Sequence, residues 1–395
     1  MPATLRYKVH LEAVAQALQI VLGQGARPDK ALETTLKTLR RPGARDRRFI
    51  AETTYSVIRH WRYLWFLAGT SPSLEKQAIV NLIQFYLDNN ARFVKKTPDA
   101  EEKNQNLPSA VLYSLPDEAW HIGIEQLDER WLRECAAQHG PAPPHLRCNT
   151  LKISPQELIH LLESESIHTQ PHPLSPEALV VLDKVHSLFS SQAFQKGLYE
   201  LQDAGSQAVS HFSDPTPGMR VVDACAGAGG KSLHLAALMQ NKGHIIALDV
   251  SASKLEELRR RARRAGVHII ETRVIASTKA YKRLQGTADL VLIDAPCTGT
   301  GTWRRNPDLK YRLTRSWLQN CLEVQKKVLR TYAPLVKPGG ILVYATCSIL
   351  PAENYLQWEQ FLHHHPHFEP LDRRQLWPSE HACDGFFMAK ARRNK

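Results

Sequence analysis

The chain lacks the features that mark a secreted or membrane-embedded protein. Its seven cysteines are an odd number spread over 395 residues, and none stands in a Cys-x-x-Cys pair. That excludes a disulfide framework and points to a reducing compartment. No window approaches 18 uninterrupted apolar residues, so no membrane span is expected. The N-terminus MPATLRYKVHLEAV has no long apolar core of the signal-peptide kind. The expected location is the cytoplasm. Internal repeats and low-complexity tracts are missing as well. So is a Walker A loop, because Cys225 stands where its first glycine belongs, five residues before Gly230-Lys231. No metal site is expected. His363, His364, His365 and His367 cluster, but without Cys or acidic partners at ligand spacing they read as a surface loop.

What is present is a folded, basic chain. Apolar residues make up 43 %, and 51 Lys+Arg against 39 Asp+Glu give a net charge of +12. Wholesale disorder is excluded, and an anionic partner such as nucleic acid is favoured over a merely soluble basic enzyme. Residues 1–135 read as a helical domain, with Leu11, Val14, Ala15, Leu18, Val21 and Leu22 at helical spacing. Asp46 to Leu67 carries an apolar face beside Arg47, Arg48, Arg59 and Arg62, which reads as a solvated cationic face. Asn89–Gln105 reads as a loop. The linker is Gly140-Pro141-Ala142-Pro143-Pro144, which no helix crosses. Residues 141–190 read as a small α+β segment. From 191 to 395 strands and helices alternate. The strands are Met219–Ala224, His244–Val250, Ile269–Ala276, Ala288–Asp294, Ile341–Ala345 and a short Phe386–Ala389, ahead of a flexible basic tail, Lys390–Lys395. This alternation predicts a doubly wound parallel sheet.

Two features carry chemistry. The first is the run Cys225-Ala226-Gly227-Ala228-Gly229-Gly230-Lys231, which follows a strand and opens a helix. Small residues let backbone approach a ligand, and a helix start offers free N–H donors. Asp249 ends the next strand, where a carboxylate can accept both hydroxyls of a ribose. This fits a dinucleotide or S-adenosylmethionine; a turn serving only packing is the bland alternative. The second is a pair of thiols at strand ends, in Asp294-Ala295-Pro296-Cys297 and Ala345-Thr346-Cys347-Ser348. One buried Cys is ordinarily a small hydrophobe. Two of them at ligand-binding strand ends, one with a carboxylate three residues before it, form a chemical constellation. Zinc wants closely spaced ligands, and the His-x-Glu and Pro-Cys-x-x-Cys pair of zinc deaminases is absent. Methylation of C5 of a pyrimidine needs this set. A thiolate adds to C6 and makes C5 nucleophilic, a carboxyl steadies N3, and a base removes the C5 proton.

At these residues the chain resembles the Sun/Nop-type S-adenosylmethionine-dependent RNA cytosine-5 methyltransferases. The resemblance runs from Leu146 to Ala389. It includes Arg147-Cys148-Asn149-Thr150-Leu151-Lys152, Gln202-Asp203-Ala204-Gly205-Ser206-Gln207 and the Cys225–Lys231 loop. It continues through Asp294–Gly299, Arg305-Asn306-Pro307-Asp308, Thr346-Cys347-Ser348 with Glu353-Asn354, and Gly385-Phe386-Phe387-Met388-Ala389. It implies a class I methyltransferase Rossmann-like sheet, preceded by the small α+β segment and the helical domain. It implies Cys347 as the nucleophile, Cys297 as the residue that releases product, and Asp294 as the carboxyl on the cytosine, close to the cofactor. S-adenosylmethionine is the implied cofactor, held by Cys225, Ala226, Gly227, Ala228, Gly229, Gly230, Lys231, Asp249, Lys254 and Asp294. RNA, commonly ribosomal RNA, is the implied partner, with Arg147, Asn149, Lys231, Pro296, Arg304 and Arg305 as candidate contacts. The run Arg259, Arg260, Arg261, Arg263 and Arg264 is either a further RNA contact or a solvated face.

Three departures stand out. Ala226 to Ala228 lacks the proline that many members carry, and Ala276 occupies the place of a common Asp after the third strand. The N-terminal region, with Asp46–Glu52 resembling part of a NusB-like domain, is short for one. Two competing readings stay open. A DNA cytosine-5 methyltransferase would use Pro296-Cys297 as its nucleophile. A non-catalytic RNA-binding assembly factor would account for Ala276.

Overall fold

The computed structural model describes residues 3–40, 42–89, 107–183 and 188–394. The expected loop Asn89–Gln105 lies outside them, apart from Asn89. The chain forms two compact units, Met1–Pro141 with Thr302–Trp317, and Ala142–Gly301 with Leu318–Lys395.

The first unit is built from helices, among them Ala3–Leu18, Pro28–Thr38, Ala44–Leu67, Lys76–Asp88, Asp117–Leu127 and Glu129–Ala137. The Asp46 carboxylate accepts the Gly43 N–H at 3.0 Å and so secures the start of Ala44–Leu67. That helix buries Ile50, Val57, Ile58 and Leu64 against Val14, Leu18, Ile79 and Ile83. Its cationic face is not all solvated. Arg59 is buried and donates to the carbonyls of Gly140 (3.2 Å), Trp303 (3.3 Å) and Arg304 (2.8 Å). The inserted segment is held at further points. The Trp303 N–H reaches the Gln138 amide oxygen at 3.1 Å, the Lys310 ammonium reaches the Tyr113 carbonyl at 3.0 Å, and the Tyr311 hydroxyl reaches the Ile58 carbonyl at 2.9 Å.

The second unit holds two sheets. A four-stranded antiparallel sheet has the order β2-β3-β1-β4, from β1 (His145–Cys148), β2 (Thr169–Pro171), β3 (Ala178–Val181) and β4 (Tyr199–Leu201). The helix Pro155–Ser164 covers it, started by a reciprocal pair of hydrogen bonds between Ser154 and Glu157. The larger sheet joins β5 (Arg220–Asp223), β6 (His244–Asp249), β7 (Ile270–Val274), β8 (Ala288–Asp294), β9 (Val336–Thr346), β10 (Phe368–Leu376) and β11 (Phe386–Arg393). Its order is β10-β11-β9-β8-β5-β6-β7. The strands β9, β8, β5, β6 and β7 pair in parallel, and consecutive residues such as Val221 and Val222 or Leu290 and Val291 enter cores on opposite faces.

The edge departs from the expected all-parallel sheet. β11 pairs antiparallel with β9, and β10 antiparallel with β11. β11 also runs through Lys390–Arg393, so this part of the basic tail is strand rather than a flexible end; Ala391 is buried between half-buried Lys390 and exposed Arg392, and Arg393 donates to the Val336 carbonyl at 2.6 Å. The histidine cluster closes the helix Tyr355–His364, where the Nδ1 atoms of His364 and His365 meet the carbonyls of Gln360 and Phe361. No helix among the described residues is long and apolar enough to cross a membrane.

Candidate active site

Strands β9, β8 and β5 lie side by side, and their carboxyl ends form one rim. Parallel pairing sets Asp294 opposite Ala345. The chain therefore leaves both strands at one level, and Cys297 and Cys347 meet with their sulfurs 3.3 Å apart. The turns around them are cross-tied. The Ala295 N–H donates to the Ala345 carbonyl (2.8 Å), and the Gly301 N–H to the Cys347 carbonyl (3.0 Å). Position 301 requires glycine, since a Cβ there would stand 2.3 Å from the Gly385 carbonyl oxygen.

Beneath the Cys297 turn lies Glu353, fully buried. Its carboxyl accepts the Thr298 N–H at 2.8 Å, the Thr298 hydroxyl, and the Gln325 amide at 3.0 Å. The same Gln325 amide donates to the Pro296 carbonyl at 3.0 Å. Burial raises the Glu353 pKa against the pull of these hydrogen bonds. Glu353 stood in the sequence beside Asn354 without a role, and Gln325 gave no signal there at all.

The two thiols are not equivalent. The hydrogen bond to the Cys347 sulfur, then burial, push the Cys297 thiol well above its ordinary range. Either sulfur can donate across the 3.3 Å contact. Next to them the Lys231 ammonium meets the Asp294 carboxylate at 2.7 Å and lies 5.0 Å from the Phe386 ring centre. Lys231 is nearly enclosed while the Asp294 side chain is 29 % exposed, so the carboxylate faces outward from the rim.

The glycine-rich run follows β5 and opens the helix Gly230–Leu238. Gly229 has φ of +83°, and a Cβ on it would stand 2.4 Å from Leu258. Gly227 faces open space, with nothing within 4 Å of where a Cβ would be. Bare backbone at a strand end is what a ligand needs for close approach. The Asp249 carboxylate accepts the N–H groups of Gly227 and Ser251, both at 2.8 Å, and so fixes the loop's height while keeping lone pairs spare. Arg261 grips the loop through the Ala228 carbonyl (2.7 Å), and Arg147 through the Gly230 carbonyl (2.6 Å). Cys225 lies within the turn, and burial pushes its thiol upward. Under the loop Asp223 is fully buried, accepts the Ser232 hydroxyl at 2.6 Å, and has its pKa pushed up to about 6 by desolvation.

Several expected contacts sit elsewhere. Arg147 is 3 % exposed and Asn149 6 %, so neither presents a side chain to nucleic acid. Asn149 spends its amide on the carbonyls of Gly197 (2.8 Å) and Ala265 (2.9 Å). Both residues belong to the small sheet and its exit turn, where polar groups satisfy buried backbone. Arg304 and Arg305 fall in the segment that joins the helical unit. The arginine run is largely paired: Arg261 and Arg264 hold the buried Glu200, while Arg259 and Arg260 meet Glu256 and Glu257. Lys254 and Pro296 are exposed, as is Ala276, just past β7.

Residues 211–392 match the family model described as 16S rRNA methyltransferase RsmB/F, and residues 122–187 match its ferredoxin-like domain. A probable ribosomal RNA small subunit methyltransferase B of Synechocystis sp. is 30 % identical over 88 % of this chain and 91 % of its own length. The chain belongs to the RsmB/F family. Its members are S-adenosylmethionine-dependent methyltransferases, and the larger sheet is their class I fold. The probable ribosomal RNA small subunit methyltransferase B of Bacillus subtilis is 35 % identical over 64 % of this chain; the match spans 60 % of that protein. A methyltransferase homolog from Pyrococcus horikoshii aligns over 71 % of this chain and 99 % of its own, with a TM-score of 0.62 and 31 % identity.

Proposed function

We propose that this RsmB/F-family chain transfers a methyl group from S-adenosylmethionine to C5 of a cytosine in small-subunit ribosomal RNA, in the cytoplasm. The observation that carries the reading is the thiol pair, two sulfurs 3.3 Å apart just past the ends of neighbouring parallel strands.

The fit of the cofactor rests on the open space before Gly227 and the spare lone pairs of Asp249. The Gly227–Gly229 backbone holds the cofactor's chain and Asp249 its ribose; when bound it supplies an electrophilic methyl group. Lys254, on the neighbouring helix start, adds positive charge. Asp294 reaches the cytosine edge, and Lys231 keeps it in place.

Cys347 adds as thiolate to C6, forming an S–C6 bond and moving an electron pair to C5 and N3. Cys297 lends its proton to the Cys347 sulfur before the attack, which stabilises the thiolate. Once Cys347 is a thioether, its negative charge and hydrogen bond no longer raise the Cys297 pKa. Cys297 then loses its proton to solvent and, as thiolate, takes the C5 proton of the C5-methylated adduct; the C5–H pair becomes the C5=C6 double bond, the S–C6 bond breaks, and Cys347 leaves with that bond's pair. The base must be unstacked to reach this rim, and the exposed Pro296 beside the thiols, with Arg304 and Arg305, are the contacts we assign to the RNA.

The test is incubation with labelled S-adenosylmethionine and total RNA, with DNA in parallel, followed by mapping of the labelled base. Label as 5-methylcytosine at a site in small-subunit RNA supports the reading. Label confined to DNA would move the nucleophile to Cys297, and no label with no cofactor binding would leave an assembly factor.

A further inference from the structure

We propose that Glu177, His211 and His234 form a divalent-cation site, suited to Zn2+, that ties the small sheet to the two helices beneath the cofactor loop. Glu177 directly precedes β3, His211 lies in the last turn of the helix Ala204–Ser213, and His234 lies in Gly230–Leu238, three residues beyond Lys231. Glu177 Oε2 is 2.7 Å from His211 Nε2 and 3.9 Å from His234 Nε2, and one ligand atom from each residue lies within 4.8 Å of the others.

The decisive group is His234. Its side chain is 1 % exposed, and neither ring nitrogen has a hydrogen-bond partner. A neutral imidazole carries one donor and one acceptor, and leaving both bare in a protein interior is costly. A cation on Nε2 removes half of that cost. Tetrahedral zinc with ligands near 2.1 Å sets its donor atoms about 3.4 Å apart. The Glu177–His211 distance must open by about 0.7 Å, the Glu177–His234 distance close by about 0.5 Å, and the two imidazoles, within 4.8 Å of each other, draw together through side-chain rotation. Two imidazoles and a carboxylate are a borderline donor set of the kind Zn2+ takes. The Ser175 hydroxyl donates to Glu177 Oε2 at 2.9 Å and orients the carboxylate. His211, 31 % exposed, forms the open side through which an ion enters and a water completes the four ligands.

The ligands are 34 and 23 residues apart, so no local spacing announced them. The site is distinct from the methyl-transfer rim, and its test does not depend on activity. The full chain, stripped with EDTA and free of any histidine tag, is titrated with Co2+ and, separately, with Zn2+. We expect one Co2+ per chain with the intense visible absorption of a tetrahedral ion, displaced by Zn2+. Zn2+ at about 100-fold over its Kd should raise the melting temperature by roughly 5 °C or more. His211→Ala and Glu177→Gln, both checked for folding by their melting transition, should lose the absorption and the shift. Absence of binding overturns the proposal. So does binding that survives both substitutions and disappears when His363 and His364 are changed to Ala, which would place the ion on the surface cluster.

Discussion

Among the described residues each unit buries one lysine, and the two are solved differently. Lys231 in the second unit has a carboxylate partner, Asp294, at 2.7 Å. Lys310 in the first is 2 % exposed and meets the Tyr113 carbonyl, at 3.0 Å, with no carboxylate partner among the described residues. Desolvation, with Arg59 adding repulsion, lowers the Lys310 pKa to about 7. The Lys231 ammonium is held against a carboxylate at the rim and fixes that carboxylate's position. An ammonium facing a carbonyl gives up its charge and becomes a structural strut. Burial of a lysine therefore does not by itself mark function; the partner does.

The sharpest way to break this comparison is to remove both ammonium groups. Lys231→Met should lower methylation by about 100-fold or more, because Asp294 loses the charge that fixes it. Lys310→Met should leave methylation nearly unchanged and raise stability near pH 6 by about 2 kcal/mol, the relieved desolvation outweighing the orphaned carbonyl. Single-turnover methylation and melting curves on the two variants read both effects. Equal activity loss in both would end the distinction.

Lys310 also gives the first unit a pH signature. Below pH 7 the folded and unfolded states both bind its proton, and the full penalty applies. Between about 7 and 10.5 only the unfolded chain holds it, so this group makes stability rise with pH over that window. Lys310→Met should flatten that slope in a pH series of denaturant unfolding.

Asp223 acts in the opposite direction. Its pKa is about 6 in the fold against 3.8 ordinarily, so this group lowers stability as pH climbs between those values. Asp223→Asn keeps an acceptor for Ser232 and should stabilise the protein at pH 8 by up to about 3 kcal/mol. The gain should vanish near pH 4. A gain that persists there would mean packing, not ionisation, is responsible. The smallest effect is expected from Arg261→Ala, which frees one loop carbonyl and should raise the KM for S-adenosylmethionine by about 3-fold to 10-fold at unchanged kcat.

Much of the second unit was legible because parallel strands buried on both faces read as short apolar runs. The runs at Met219–Ala224, His244–Val250 and Ala288–Asp294 coincide with β5, β6 and β8 to within a residue or two. β10 was missed because Asp372, Arg373 and Arg374 interrupt its apolar pattern at an exposed edge. Thr302–Trp317 gave no sign of joining the N-terminal helices, since its anchors are backbone carbonyls and a buried lysine. Strand-end logic found the thiol pair and the glycine-rich loop. The family resemblance misplaced Arg147 and Asn149, because a basic or polar residue in a matched motif looks alike whether it grips RNA or a neighbouring loop. Glu353 and Gln325, which set the Cys297 turn, act through burial, and burial of a polar residue is invisible in one sequence.

The central claim is the division of labour between the two sulfurs. The direct measurement is a denaturing gel of the protein incubated with unmethylated small-subunit RNA and S-adenosylmethionine. Cys297→Ala should run as a covalent protein–RNA adduct, and adding Cys347→Ala to it should abolish that band. An adduct that survives the loss of Cys347, or normal turnover by Cys297→Ala, would contradict the assignment.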